Sequence, residues 1–199
     1  MKTKSLSITL IYLVASGILA TLTMDIAALA LVANHLANSA PYRIVPNLLG
    51  RWIGSMANGT FVHSTIFDTP PVPHEAVLGL ICHYLIGITL TSLLVYPALK
   101  FRKSPPSLPA AVTFGLGTCV LPYCLMFPAM GFGLFGLKAP EPIARIVFSA
   151  VNHAAFGVGI YLWSSILGIL LSDRLGFQEW KSRQPILSAP LREWQTDTQ

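Results

Sequence analysis

The sequence predicts an all-α, polytopic membrane protein: four transmembrane helices, both ends in the cytoplasm, and a long outer loop between helices one and two. Three observations predict it. Of 199 residues, 53% are hydrophobic and only 11% charged, against roughly 25% charged in a soluble domain. Four apolar runs are each long enough to cross a bilayer, which takes about 20 residues. Lys and Arg are also unevenly shared between the two sides of those runs. Lys2, Lys4, Lys100, Arg102, Lys103, Arg174, Lys181, Arg183 and Arg192 fall on one side, and Arg43, Arg51, Lys138 and Arg145 on the other. The positive-inside rule puts the first group in the cytoplasm.

The first span is expected over residues 6–36. Lys2 and Lys4 ahead of it resemble the start of a signal peptide, but the run far exceeds a signal core of roughly 7–15 residues and contains Asp25. An uncleaved signal anchor is therefore expected, despite Ala28-Leu29-Ala30. The 38–73 loop faces outward. Within it, 47–61 is expected to form a short interfacial helix with Trp52 at headgroup depth. Pro70-Pro71-Val72-Pro73 then stiffens the chain and stops helix propagation before the second span, 76–99.

The link at 100–107 is short and basic, so spans two and three (108–127) are expected to form a tight hairpin. The glycines around Met130-Gly131-Phe132-Gly133 follow no strand and are expected to permit a turn or re-entrant bend in the outward 129–142 segment. The fourth span covers 143–171. From Asp173 the chain is polar and carries Pro185 and Pro190, which predicts a loosely ordered cytoplasmic extension. The domain division is one transmembrane domain, 1–172, and a tail, 173–199.

Composition also limits function. The net charge of +5 lies at the ends of apolar runs rather than in one patch, so the expected partner is the lipid bilayer and not nucleic acid. Four helices enclose little room, and a homo-oligomer is the matching expectation. Cys82, Cys119 and Cys124 lie in or beside apolar segments with no CxxC pair, which fits packing better than redox chemistry. Phosphate loop, dinucleotide fingerprint and nucleophile elbow are all missing. Catalysis, metal and cofactors stay open on these grounds.

Ionisable groups at membrane depth are costly and point to function. Asp25, His83 and His153 lie well inside three different spans, and Arg145 near the outer start of the fourth. At 1.5 Å per residue, His83 lies about 10 Å and His153 about 15 Å below the outer ends of their spans, with Asp25 at similar depth. Each shares a helical stripe with small residues: Gly17, Thr21, Asp25 and Ala28; Gly79, His83, Gly87 and Thr91; Arg145, Ser149, His153 and Gly157. The three groups are expected to meet inside the bundle. A carboxylate and two imidazoles suit proton transfer, a divalent metal or a haem between helices. Neither histidine has a second ligand at helical spacing, which counts against metal and haem. The structural alternative is interhelical hydrogen bonding, worth about 0.6 kcal/mol each. On the outer side, His35, His63 and His74 accompany Asp68 and Glu75, either as solvated loop residues or as a periplasmic metal site.

A set of short motifs occurs in order: Gly50-Arg51-Trp52-Ile53-Gly54, Gly59-Thr60-Phe61-Val62-His63, Pro71-Val72-Pro73-His74-Glu75 and His83-Tyr84-Leu85-Ile86-Gly87. Phe127-Pro128-Ala129-Met130-Gly131-Phe132-Gly133, Pro140-Glu141-Pro142, Arg145 and His153-Ala154-Ala155-Phe156-Gly157 follow. The chain resembles, over nearly its whole length except the tail, the bacterial membrane family catalogued as domain of unknown function 2938. His74 departs from the glycine expected before the glutamate. The motifs add Arg51, His63 and Glu75 as outer-loop candidates. The resemblance implies a small multi-pass protein of the bacterial inner (cytoplasmic) membrane and brings no activity with it. A small transporter-like or proton-coupled protein using Asp25, His83 and His153 is the leading expectation. Its rivals are an accessory or assembly protein acting through the outer loops, and a membrane enzyme or metal or haem protein built on the same cluster. Paired broken helices, common in transporters, are not evident.

Overall fold

The computed structural model describes residues 2–33 and 45–184, and among these it is helical, with no strand. The long helices are α1 (Lys2–Ala33), α3 (Glu75–Pro97), α4 (Leu108–Gly117) and α5 (Pro142–Leu170). A shorter α2 (Val45–Met56) precedes α3, and two short helices, α6 (Ser172–Leu175) and α7 (Gln178–Ser182), follow α5. Four stretches are long and apolar enough to cross a membrane: Leu6–Val32, Glu75–Arg102, Leu108–Ala129 and Pro142–Leu170. They match the four expected spans, with residues 34–36 of the first lying outside the described residues. The chain is a multi-pass membrane protein.

Small residues decide which helices touch. α1 sits centrally, packed against α3 on one side and α5 on the other, while α4 packs against α5. At the α1–α3 contact, a Cβ on Gly87 would stand 1.9 Å from Thr21 Oγ1, so only glycine permits this approach. At the α4–α5 contact, a Cβ on Gly157 would stand 2.5 Å from the Ala111 carbonyl. α3 and α4 hardly touch, so the tight hairpin expected from their short link does not form. Ile86 of α3 and Leu121 and Leu125 of the third span beyond α4 line a cavity instead, whereas the close helix contacts have glycine.

The third span is not one regular helix. α4 stops at Gly117, and a π-type turn, Pro122–Met126, precedes a single helical turn at Phe127–Ala129. Pro122 has no N–H to offer the Thr118 carbonyl, which instead accepts from Leu121 N at 3.0 Å.

α2 lies across the first turns of α3. The contact is glycine on glycine: a Cβ on Gly79 would sit 1.8 Å from the Pro46 carbonyl, and one on Gly50 would sit 1.7 Å from that of Glu75. Trp52, expected at headgroup depth, is buried against the protein and donates to the Phe61 carbonyl at 3.0 Å. The chain beyond α2 returns onto 129–132, with His63 N donating to Ala129 O and Ile66 N to Met130 O. Gly131, at φ +87°, makes that approach, and a Cβ there would lie 2.1 Å from the Ser64 carbonyl. α2 and these loops form a cap over one end of the bundle.

At the opposite end, Tyr12 is fully buried and donates to the Ser164 carbonyl at 2.9 Å. The fully buried Phe177 ring meets Tyr12 edge-on at 6.1 Å. The stretch expected to be a loose extension from Asp173 onward begins with two short helices, held to the bundle by the apolar anchors Leu175 and Phe177. The remainder of that tail, with Pro185, Pro190 and Arg192, lies outside the described residues, as do His35 and Arg43.

Candidate functional site: an Asp–His pair beside a cavity

The close α1–α3 contact at Gly87 and Thr21 sets the distance at which Asp25 faces the next turn of α3. His83 Nε2 lies 3.0 Å from Asp25 Oδ1, and the Tyr84 hydroxyl donates to Asp25 Oδ2 at 2.9 Å. Two consecutive α3 side chains thus hold both oxygens of one carboxylate. The pair is only partly enclosed, with His83 26% and Asp25 33% exposed.

His153 is held differently. Its Nδ1 lies 2.7 Å from Thr118 Oγ1, and the same hydroxyl is 2.5 Å from the Gly115 carbonyl. Thr118 donates to the carbonyl and accepts from His153 Nδ1–H, or shares its proton with the ring in the other tautomer. The break after α4 places Thr118 there, so the interrupted span and the histidine are one feature.

A cavity of about 480 Å³ lies between these two groups, within the roughly 300–1,000 Å³ usual for ligand pockets. His83 and His153 both line it, along with Arg145, Ser149 and Asn152 from α5. Leu49 and Trp52 of α2 close it on the cap side, and most of its remaining wall is apolar. Among the described residues, no Asp or Glu is on its wall. Asp25 is set back behind His83, so His83 alone joins the carboxylate to the cavity. Arg145 is buried, its guanidinium 5.1 Å from the Phe132 ring centre. Asn152 is 4% exposed, and its Oδ1 has no hydrogen-bond partner.

The structure thus joins Asp25 to His83 directly and sets His83, His153 and Arg145 around one cavity. Among the described residues no group of three or more His, Cys, Asp or Glu side chains comes together as metal ligands. The outer-loop candidates separate into two places. Arg51 and Glu75 form a two-pronged ion pair, Nε to Oε2 and Nη2 to Oε1, both at 2.8 Å, and Arg51 Nη1 also donates to Thr69 O at 3.1 Å. The bond to Glu75 raises the Arg51 pKa still further. This pair joins α2 to α3 and is a structural staple. His63 is buried beside it, with Nδ1 2.9 Å from Thr69 Oγ1, and lines a hydroxyl-rich recess of the cap with Asp68 and Thr60.

A family model described as a protein of unknown function, DUF2938, matches residues 14–167. The chain belongs to this family. The match takes in all the DUF2938 protein's site residues, from Asp25 to His153, and stops before the docked α6 and α7. Neither a curated protein nor a solved structure matches the chain. Tyr84, Thr118, Asn152 and the cavity position of Trp52 add to the residues expected from the sequence. Tyr84 had a signal, since it adjoins His83 in one motif, and Pro122 inside an apolar run marked the break that positions Thr118. Asn152 gave a weaker one, as an amide at the depth of His153.

Proposed function

We propose that this DUF2938 protein is a proton-coupled carrier of a hydrophobic solute, seated in a bacterial inner membrane with both termini and the 100–107 link in the cytoplasm. The observation that carries the reading is the double placement of His83, bonded to Asp25 on one side and lining the cavity on the other. Imidazole is the side chain that changes charge near neutral pH, and at membrane depth an Asp–His pair favours transport over mere packing. A solute in the cavity touches the imidazole without touching the carboxylate, so its arrival changes the surroundings of one partner and shifts the proton between them. The broken third span supports the reading too, because irregular backbone at membrane depth is tolerated where it lines a cavity. The Lys and Arg asymmetry supports the orientation.

Purified protein in vesicles loaded with a pH-reporting dye tests this. Lipophilic weak acids, weak bases and neutral amphiphiles are supplied in turn, with protein-free vesicles as the baseline. At least one class should change internal pH faster than baseline, and Asp25→Asn and His83→Gln should abolish the excess at equal incorporation. No protein-dependent change with any class, or full activity in Asp25→Asn, refutes the proposal.

The His63 recess in the cap favours one second reading, an accessory role through the outer loops. In that case Asp25→Asn leaves function intact, and substitutions at His63 remove it.

A further inference from the structure

The cavity has an opening towards lipid, a mostly apolar wall and a polar group left unsatisfied, and together these define its occupant. The opening follows from the packing order. α3 hardly touches α4 or the turn beyond it, and Ile86, Leu121 and Leu125 line the cavity while remaining exposed. All three lie within membrane-spanning stretches, and Ile86 is about 16 Å along α3 from its start at Glu75. At that depth the outside is hydrocarbon.

The unsatisfied group is Asn152. It lines the cavity about 15 Å along α5 from Pro142. Only 4% of it is exposed, and its Oδ1 is buried with no hydrogen-bond partner. Leaving a buried acceptor unpaired destabilises a fold, so packing alone favours an apolar residue here. An occupant that pairs with the amide removes the penalty. The imidazoles on the wall lean the same way. With its Nε2–H given to Asp25, His83 keeps Nδ1 as an acceptor; in the tautomer in which Thr118 donates to Gly115, His153 keeps Nε2 as one. The wall therefore asks its occupant for a donor.

The charge of the occupant follows from its route. An ionised head that leaves the interface for the middle of the bilayer loses its hydration, at a cost far above that of a hydroxyl. Most of the wall is apolar, and Arg145 already has interactions of its own within the protein, beyond its place over the Phe132 ring. An uncharged head with a donor is the match. A hydroxyl suits either orientation of the Asn152 amide, because it donates to Oδ1 or accepts from Nδ2. Its hydrocarbon chain fills the apolar part and passes out between α3 and the third span into lipid.

We propose that the cavity is a binding site for an uncharged lipophilic alcohol, which enters from the bilayer between α3 and the third span, sets its hydroxyl at Asn152 and leaves part of its chain in lipid. This deepens the carrier reading by naming the solute class and rests on it for the proton step alone. An alcohol brings no titratable proton of its own near neutral pH. Any proton that moves with it is carried by the protein, and the Asp25–His83 pair is the group placed to carry it.

The test uses the full chain in nanodiscs of phosphatidylcholine, a lipid with no hydroxyl donor, and a hexadecanol probe with a diazirine in its chain. Irradiation should attach the probe to the cavity wall, on α5 or on the third span near Leu125, as read by mass spectrometry of the peptides. Unlabelled hexadecanol should compete several-fold better than hexadecyl methyl ether, which keeps the oxygen and loses the donor. It should also compete better than hexadecyl sulfate or hexadecyltrimethylammonium. Asn152→Leu removes the unsatisfied amide, so it should fold at least as stably as the unaltered protein and erase the preference for alcohol over ether. Leu121→Trp, which narrows the opening and leaves Asn152 in place, should lower labelling at the wall. If Asn152→Leu does not fold, the comparison of alcohol, ether and charged chains on the unaltered protein decides the matter. Equal competition by alcohol and ether, an unchanged preference in folded Asn152→Leu, or competition by either charged chain equal to that of the alcohol overturns the proposal. Alcohol binding at this wall without protein-dependent proton movement keeps the site and removes the carrier reading. Proton movement driven only by weak acids or bases, with alcohol and ether competing alike, removes the alcohol site and keeps the carrier.

Discussion

At the scale of single residues, the Arg51–Glu75 ion pair and the Asp25–His83 pair differ, and their surroundings tell them apart. Arg51 and Glu75 are 13% and 11% exposed and joined by two bonds, with Arg51 also donating to the Thr69 carbonyl and Glu75 accepting from Val72 N–H. Removing one member strands the other, so Arg51→Met should cost roughly 3 kcal/mol, while Arg51→Met combined with Glu75→Leu should recover most of that loss. Unfolding curves in detergent check both variants, and a double variant as unstable as the single one contradicts the staple. Asp25 and His83 are looser, half-open and adjacent to a cavity, which is the setting of a pair that changes state.

At the scale of elements, glycine positions control the geometry more than any polar contact does. α2 closes the cavity with Leu49 and Trp52 only because Gly50 and Gly79 let it lie on α3. Gly79→Ala should therefore loosen α2 and lower stability by about 1–3 kcal/mol, the usual cost of overpacking a tight contact. Trp52 fluorescence should shift towards a more exposed ring in the same variant, with the other tryptophans replaced by Phe so that only Trp52 reports. An unshifted spectrum would mean that the contact is not tight. The stripes of small residues were readable from helical spacing, as was the shared depth of Asp25 and His83, because both follow from counting residues. Which stripe meets which was not readable, since each interface uses the same residue types. Trp52 shows the limit: an aromatic residue near a span end resembles an interfacial anchor, and its burial depends on a glycine contact 25 or more residues away in the chain.

At the scale of the whole molecule, bilayer thickness made the four spans legible, and the break within the third was visible only as Pro122. The docked tail was missed because its polar average hid Leu175 and Phe177. Phe177→Ala should cost about 3 kcal/mol or more, as loss of a fully buried ring does, and should lower the thermal midpoint in detergent. An unchanged midpoint would show that the tail does not hold the Tyr12 end together. Orientation is tested by single cysteines at two exposed positions, Asn58 in the cap and Lys103 in the link, in a background without Cys82, Cys119 and Cys124. In intact cells an impermeant thiol reagent should label Asn58→Cys and spare Lys103→Cys. Labelling of Lys103→Cys alone reverses the orientation.

A proton-coupled carrier requires the Asp25–His83 pair to change protonation when the cavity fills. Infrared difference spectra between empty and loaded protein read this directly, with the solute isotopically labelled so that its own bands are recognised. Carboxyl and imidazole bands should change together on loading; Asp25→Asn should remove the first and His83→Gln the second. A solute that binds in the cavity and leaves every Asp25 and His83 band unchanged would contradict the account.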